Sequence, residues 1–393
     1  MAKKDTNYIS IKESRAILKH NMKQMKYYEK LKRRKVAESE YTAVMRDENN
    51  IIEIDGLETC FFTDNGTVMS VNGVSFDIPK NKIVGVVGES GCGKSVTSFS
   101  IMQLVQAPQG QVTGGHIRFN ADTLGYDEEG KKLAYDIAKM PTEQMHKIRG
   151  KDITMIFQEP MTSLNPVFTI GYQLDEVSLL HTEGVTKAEA KAKSLEMLDK
   201  VGISIPERVY KSYPHELSGG MRQRVMIAMA LAGNPKLIIA DEPTTALDVT
   251  IQAQILELLK TLQKEQGCSI MLITHDLGVI AEMADEVVVM YAGRVIEKGT
   301  AQDIFHRPMH PYTIGLQKSK PLITSSSTEP LYSIPGQVPN PINLPDRCYF
   351  WNRCPQCGPK CMNKYPKETK VSDTHYVSCY LHEEGEKACR KKK

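Results

Sequence analysis

Nowhere in its 393 residues does the chain carry an uninterrupted apolar run near the roughly 18 residues needed to cross a bilayer. Its lysine-rich start lacks the apolar stretch of a secretory signal, so a cytoplasmic location is expected. Cysteine is scarce over most of the length. Of nine, three precede residue 348, too few and too scattered for a disulfide framework in the main body. Charge of one sign is not in excess, since 50 Lys and Arg face 47 Asp and Glu. No internal repeat is found, and the 41% hydrophobic and 25% charged fractions are those of an ordinary globular protein.

What is present is unevenly placed. The first 35 residues carry many Lys and Arg, including the run Lys32, Arg33, Arg34 and Lys35, against three carboxylates. A solvated, partly helical tail over residues 11–35 is expected there, and contact with an acidic phospholipid or partner is the other reading. Five cysteines fall between Cys348 and Cys379. In a reducing compartment such clustering suggests metal or iron-sulfur ligation.

Four short apolar runs, residues 83–87, 153–157, 237–240 and 270–274, predict buried parallel strands separated by helices. Residues 171–233 are mostly helical in pattern, with 187–201 amphipathic, which predicts a helical insertion in an α/β core. Residues 286–298 predict a strand pair turning at Ala292-Gly293. From Lys320 onward Pro, Ser and Gly become frequent, so a linker is expected ahead of a cysteine-bearing module. The expected division is an extension over 1–50, an α/β domain over 51–319 with its helical part at about 160–233, and a linker with the cysteine module over 320–393.

The sharpest local signal is Gly88-Glu-Ser-Gly-Cys-Gly-Lys94-Ser95, which follows an apolar strand and opens a helix. Phosphates need many donors at close range; glycines let backbone N–H groups curl around them, and the positive helix end faces the anion. Lys94 is placed to bridge β- and γ-phosphates, and Ser95 offers a hydroxyl to Mg2+. Gly88, Ser90, Gly91, Cys92, Gly93, Lys94, Ser95 and Val96 are the expected loop contacts to ATP. Cys92 lies near a helix N-terminus that favours thiolate, so thiol-reactive inhibition with protection by ATP is expected.

A second signal is Leu237-Ile-Ile-Ala-Asp241-Glu242-Pro243, an apolar strand ending in two acids. Asp241 fits the magnesium-side carboxylate. Glu242 is placed to polarise the water that attacks the γ-phosphate.

With these residues in place, the chain resembles the ATPase subunits of ABC transporters: Leu217-Ser218-Gly219-Gly220-Met221 is similar to that family's signature and lies shortly before the acidic strand. The resemblance implies a P-loop NTPase core of α/β class with an antiparallel β subdomain, a helical signature subdomain and a small Cys-bearing C-terminal module. It implies a head-to-tail dimer in which each signature completes the partner's ATP site. Gln158 resembles the glutamine that senses magnesium and the membrane subunit, Asp248 in Thr244-Thr-Ala-Leu-Asp248 resembles the D-loop acid, and His275 resembles the switch histidine at the γ-phosphate. Lys94, Glu242 and His275 are then the expected catalytic residues, with Mg2+ held by Ser95, Gln158 and Asp241. An adenine-stacking ring is expected upstream; Phe62 is the best placed candidate and Phe61 its rival.

Subfamily-like stretches narrow the resemblance. Residues 217–232 and 240–254, together with His310-Pro-Tyr-Thr313, look like the D-type ATPase subunits of oligopeptide and dipeptide importers. Met221 stands where the companion F-type subunits usually carry Gln. The resemblance covers residues 52–382, and Cys348, Cys354, Cys361 and Cys379 are spaced like the family's four [4Fe-4S] cysteines. Zinc is the alternative, because Cys357 makes a C-x-x-C with Cys354. The implied partners are an F-type ATPase subunit or a second copy, two transmembrane permease subunits and an external substrate-binding protein, with no nucleic acid expected. The implied place is the cytoplasmic face of the cell membrane. Nickel or another solute as cargo is the nearest rival, and a soluble ABC ATPase acting on nucleic acid a more distant one.

Overall fold

A computed structural model of the chain describes residues 10–245, 247–319 and 332–383. The linker expected from Lys320 falls, up to residue 331, outside the described residues. Short runs of Val, Ile and Leu that bury every side chain belong in the middle of a layered α/β structure. All residues of Ile83–Val87, Ile153–Ile156, Leu237–Asp241 and Ser269–Ile273 are buried. Strand 153–156 pairs parallel with 237–241, that strand with 269–273, and 269–273 with 83–87. Consequently the carboxyl ends of four neighbouring strands open on one edge, and the residues just beyond them share a cleft.

Strand Glu286–Tyr291 continues the sheet in parallel beyond 83–87, then turns back as Arg294–Thr300. The turn is where the sequence places it: Ala292 and Gly293 hold φ of 46° and 81°, the primed geometry that matches strand twist. Two short strands from the cysteine-bearing segment, Thr369–Lys370 and Tyr376–Val377, complete the eight-stranded sheet.

A second, five-stranded antiparallel sheet is built around the long hairpin Asn50–Thr63 and Gly66–Pro79. Thr42–Val44 also joins this sheet, so the expected N-terminal extension ends within folded structure. Helix Ile11–Lys32 stops three residues short of the expected 35 and carries a full capping box from Ser10 and Glu13. It is not simply a solvated tail. Asn21 is 3% exposed and donates to the Thr63 carbonyl at 2.8 Å, and the Tyr28 ring stacks on Phe62 at 6.5 Å. Positions 21 and 28 are seven apart and so share one helix face. Most of the charges occupy the remaining faces, which is why composition alone read as a tail, but Glu29 accepts from the buried Gln111 amide at 2.9 Å.

The helical insertion consists chiefly of Ile170–His181, Lys187–Lys200, Pro206–Lys211 and Gly219–Leu231. The C-terminal segment is fastened to the main sheet through buried polar groups. His375 Nε2 lies 2.8 Å from Glu297 Oε1, and the Thr374 and Thr300 hydroxyls donate to Asp303 at 2.6 and 2.7 Å. Burial pushes the Asp303 carboxyl up, but these hydroxyls, His375 and Arg307 outweigh it and hold its pKa at about 2. A depressed pKa stabilises the fold fully above the unfolded value of about 3.9, and that contribution is lost as pH falls through about 2. Thermal denaturation between pH 5 and 2 is expected to give a steeper fall for the parent than for Asp303→Asn. Parallel curves would remove this role.

Candidate functional site

The cleft at the strand ends is formed from the sequence upward. Strand Ile83–Val87 runs into the glycine-rich loop and then helix Lys94–Ile101. Gly93 caps that helix with φ of 101°, and a Cβ there would lie 2.4 Å from the Ser70 carbonyl oxygen, so only glycine lets the loop pass the neighbouring hairpin. Lys94 is 6% exposed, and its ammonium folds back to the carbonyls of Gly88 at 2.8 Å and Glu89 at 3.2 Å. Ser95 Oγ donates to Asp241 Oδ1 at 3.1 Å, joining the loop to the acidic strand. Burial pushes the Asp241 carboxyl up, with Glu242 next door adding to the shift. These are the donor types and the shaped cradle that a triphosphate with Mg2+ requires.

Beside them, three groups converge on one carboxylate. Glu242 Oε2 accepts from Gln158 Nε2 and from Thr245 Oγ1, each at 2.9 Å, while Glu242 Oε1 lies 3.3 Å from His275 Nδ1. Gln158 and His275 follow different strands, and both reach the acid that ends a third. Glu242 itself sits at φ of 47°, an uncommon backbone state for a non-glycine residue. Its N–H donates to the Ile273 carbonyl at 2.9 Å, which locks the strained residue between adjacent strands.

Other expected site residues lie apart. Ser218 caps helix Gly219–Leu231 by accepting from the Met221 N–H at 3.4 Å, and Ser218 and Gly219 are exposed. Leu217 is buried beneath them. A Cβ on Gly219 or Gly220 would meet Leu247 or Ile251, and no atom of the glycine loop lies within 4 Å of either position. Asp248 caps the helix Val249–Gln266 through the Ile251 N–H at 3.0 Å.

Three expectations need correction. Phe62 is 7% exposed and covered by Tyr28, so its face is occupied by the N-terminal helix. Phe61, by strand alternation, turns to the opposite face with Thr59, whose hydroxyl lies 2.8 Å from Ser100 on the loop helix. Cys92 is 1% exposed, and burial pushes its thiol up despite the nearby Lys94, against the thiolate expected from the helix end. Among the described residues no group of three or more His, Cys, Asp or Glu is arranged to hold a metal ion, which overturns the iron-sulfur expectation and leaves zinc without support. Cys348, Cys354, Cys361 and Cys379 border a cavity of only about 90 Å³. Burial pushes the Cys348 and Cys379 thiols up to about 12.

One group of contacts had no warning in the sequence. The Glu89 N–H donates to the Tyr312 hydroxyl at 2.8 Å, and Arg353 forks onto the Glu89 carboxylate at 2.8 and 3.0 Å. Tyr312 lies in the His310–Thr313 stretch already singled out by resemblance. Arg353 had no local signal, because its partner is 264 residues distant in sequence.

Residues 71–245 match the family model of the ABC transporter domain, and residues 296–361 match the C-terminal region of oligopeptide/dipeptide transporters. The chain is 49% identical to the oligopeptide transport ATP-binding protein AppD of Bacillus subtilis, over 86% of this chain and 98% of that protein. It is 48% identical to the dipeptide transport ATP-binding protein DppD of Bacillus subtilis, over 85% of this chain and 95% of that protein. Among solved structures it resembles the dimeric post-hydrolysis state of the ATP-binding cassette MJ0796 bound to ADP and Pi. There the TM-score is 0.53 and the identity 27%, covering 64% of this chain and 98% of that one.

Proposed function

The chain belongs to the ATP-binding subunits of oligopeptide and dipeptide ABC transporters, ATPases that power transport, and we propose that it drives uptake of short peptides through the site at its strand ends. The observation that supports the chemistry best is the convergence of Gln158, Thr245 and His275 on Glu242 beside the Ser95–Asp241 pair. The loop residues from Gly88 to Val96 cradle the phosphates, and Lys94 leaves its carbonyl partners to meet the β- and γ-phosphates. Ser95, Asp241 and Gln158 would hold Mg2+, which when bound would neutralise phosphate charge. Glu242 takes a proton from the water whose oxygen bonds to the γ-phosphorus, while the bond to the β–γ bridging oxygen breaks and ADP leaves with that electron pair. His275 stabilises the γ-phosphate, and Phe61 is the better adenine platform because its face is not covered by Tyr28.

One chain offers half of a closed site. We assign Leu217, Ser218, Gly219, Gly220 and Met221, with Asp248, to the ATP site of a facing subunit, because the exposed helix end at Ser218 presents N–H groups that its own phosphate loop does not use. The facing subunit is a homologous F-type ATPase or a second copy. Two permease subunits and an external binding protein complete the transporter, which places this chain peripherally on the cytoplasmic face. No helix among the described residues is long and apolar enough to cross a membrane.

Reconstitution with the permeases in proteoliposomes tests the cargo. Peptide-loaded binding protein is expected to raise MgATP turnover several-fold over the empty binding protein. Stimulation by a nickel-loaded protein and none by peptides would replace the peptide reading with its nearest rival.

A further inference from the structure

The phosphate loop is gripped from outside by the cysteine-bearing C-terminal segment. Arg353 is 4% exposed at its side chain, and every nitrogen of its guanidinium is engaged. Nη1 donates to Glu89 Oε2 at 2.8 Å and to the Tyr291 hydroxyl at 3.3 Å. Nη2 donates to Glu89 Oε1 at 3.0 Å and the Ile334 carbonyl at 3.3 Å, and Nε donates to the Pro335 carbonyl at 2.9 Å. Around it, Tyr291, Tyr312 and Phe350 pack with ring centroids 4.7 to 5.5 Å apart. Such a fork is geometrically selective, so the carboxylate it holds has one place to be.

Glu89 is an unusual residue to find there. It stands second in a loop that must receive the negative charges of a triphosphate, and its carbonyl already accepts from the Lys94 ammonium at 3.2 Å. An unpaired carboxylate at that point repels the ligand at short range. Paired with a buried guanidinium, its charge is cancelled where it arises.

We propose that Arg353 is a positioning residue for nucleotide binding: by neutralising and anchoring Glu89 it sets the charge and shape of the phosphate loop, which couples docking of the C-terminal segment to ATP affinity. The inference rests on the reading of this loop as the MgATP site. Displacement of the segment releases Glu89 toward the phosphates and loosens the nucleotide.

The test uses the full chain and compares Arg353→Met with the double variant Arg353→Met, Glu89→Gln. The readouts are MgATP dissociation constants from a fluorescent ATP analogue, with KM and kcat for the assembled ATPase. Arg353→Met is expected to weaken binding and raise KM by about ten-fold or more, with kcat changed far less. The double variant is expected to recover most of that affinity, because the charge left unpaired in the single variant is gone. A merely structural arginine predicts the reverse, since the double variant would lose the same packing and bind no better. Equal affinities for the two variants, or parent-like affinity for Arg353→Met, overturn the proposal. Should Arg353→Met not fold, Arg353→Lys keeps the charge without the fork and is expected to weaken MgATP binding measurably, with parent-like affinity overturning the proposal. Failure of the parent itself to bind MgATP counts against the loop assignment, which separates the two outcomes.

Discussion

Replacing Glu242 by Gln is expected to leave MgATP bound and to lower its hydrolysis by about 10² to 10⁴-fold, the usual worth of a positioned general base. Gln has nearly the same shape, so its amide oxygen can still accept from Gln158 Nε2 and Thr245 Oγ1, both now 2.9 Å from Oε2. What it cannot do is take the proton of the attacking water. Its backbone place is secured by the N–H to Ile273 carbonyl bond at 2.9 Å rather than by the carboxylate, so the uncommon φ of 47° survives the change. Binding survives too, because the phosphate cradle belongs to a different strand exit. Single-turnover hydrolysis and gel filtration with ATP provide the measurement, the second reading accumulation of an ATP-bound dimer. Hydrolysis by the variant at the parent rate would remove Glu242 from the chemistry.

Lys94→Ala is expected to act one step earlier and to weaken MgATP binding by about 10 to 10²-fold, the worth of charge-assisted bonds to phosphate, with turnover lost at ordinary ATP levels. Lys94 is 6% exposed, and its ammonium meets backbone carbonyls at 2.8 and 3.2 Å and the Cys92 sulfur at 3.9 Å. A buried charge so partnered is poorly compensated until an anion arrives. Removing it therefore does not weaken the fold of the empty protein. The melting temperature without nucleotide should match or exceed the parent's, while the rise produced by MgATP should vanish. If MgATP protects the variant as well as the parent, the loop is not the binding site described.

Taken together the two variants divide the site along its geometry. The glycine loop governs whether nucleotide is held, and the Glu242 cluster governs whether it is cut.

Several elements were legible before any coordinates. The buried runs at 83–87 and 237–240 announce parallel strands because a chain segment without polar positions has no solvent face to offer. The glycine loop announces a phosphate because few other ligands need so many backbone donors at one point. Phe61 and Phe62 were not separable, since adjacent strand residues differ only in which face they occupy, and what covers each face comes from far away in sequence. Cys92 misled for a related reason: proximity to a helix end is a local property, whereas burial, which decided its protonation, is not. The cysteines after 348 have ligand-like spacing and four of them border one small cavity, yet among the described residues no group of three or more is arranged to hold a metal ion, which spacing along a chain does not reveal.

The sequence by itself determined the strand and helix periods, the phosphate loop with Lys94 and Ser95, and the acid pair that ends strand 237–241, because each depends on residues within a few positions of one another. Only the tertiary structure decided that Gln158, Thr245 and His275 meet on Glu242, that the N-terminal helix covers Phe62, and that Arg353 grips Glu89 across 264 residues. Those contacts are set by the order of strands and the register of packed layers, and no local pattern encodes them.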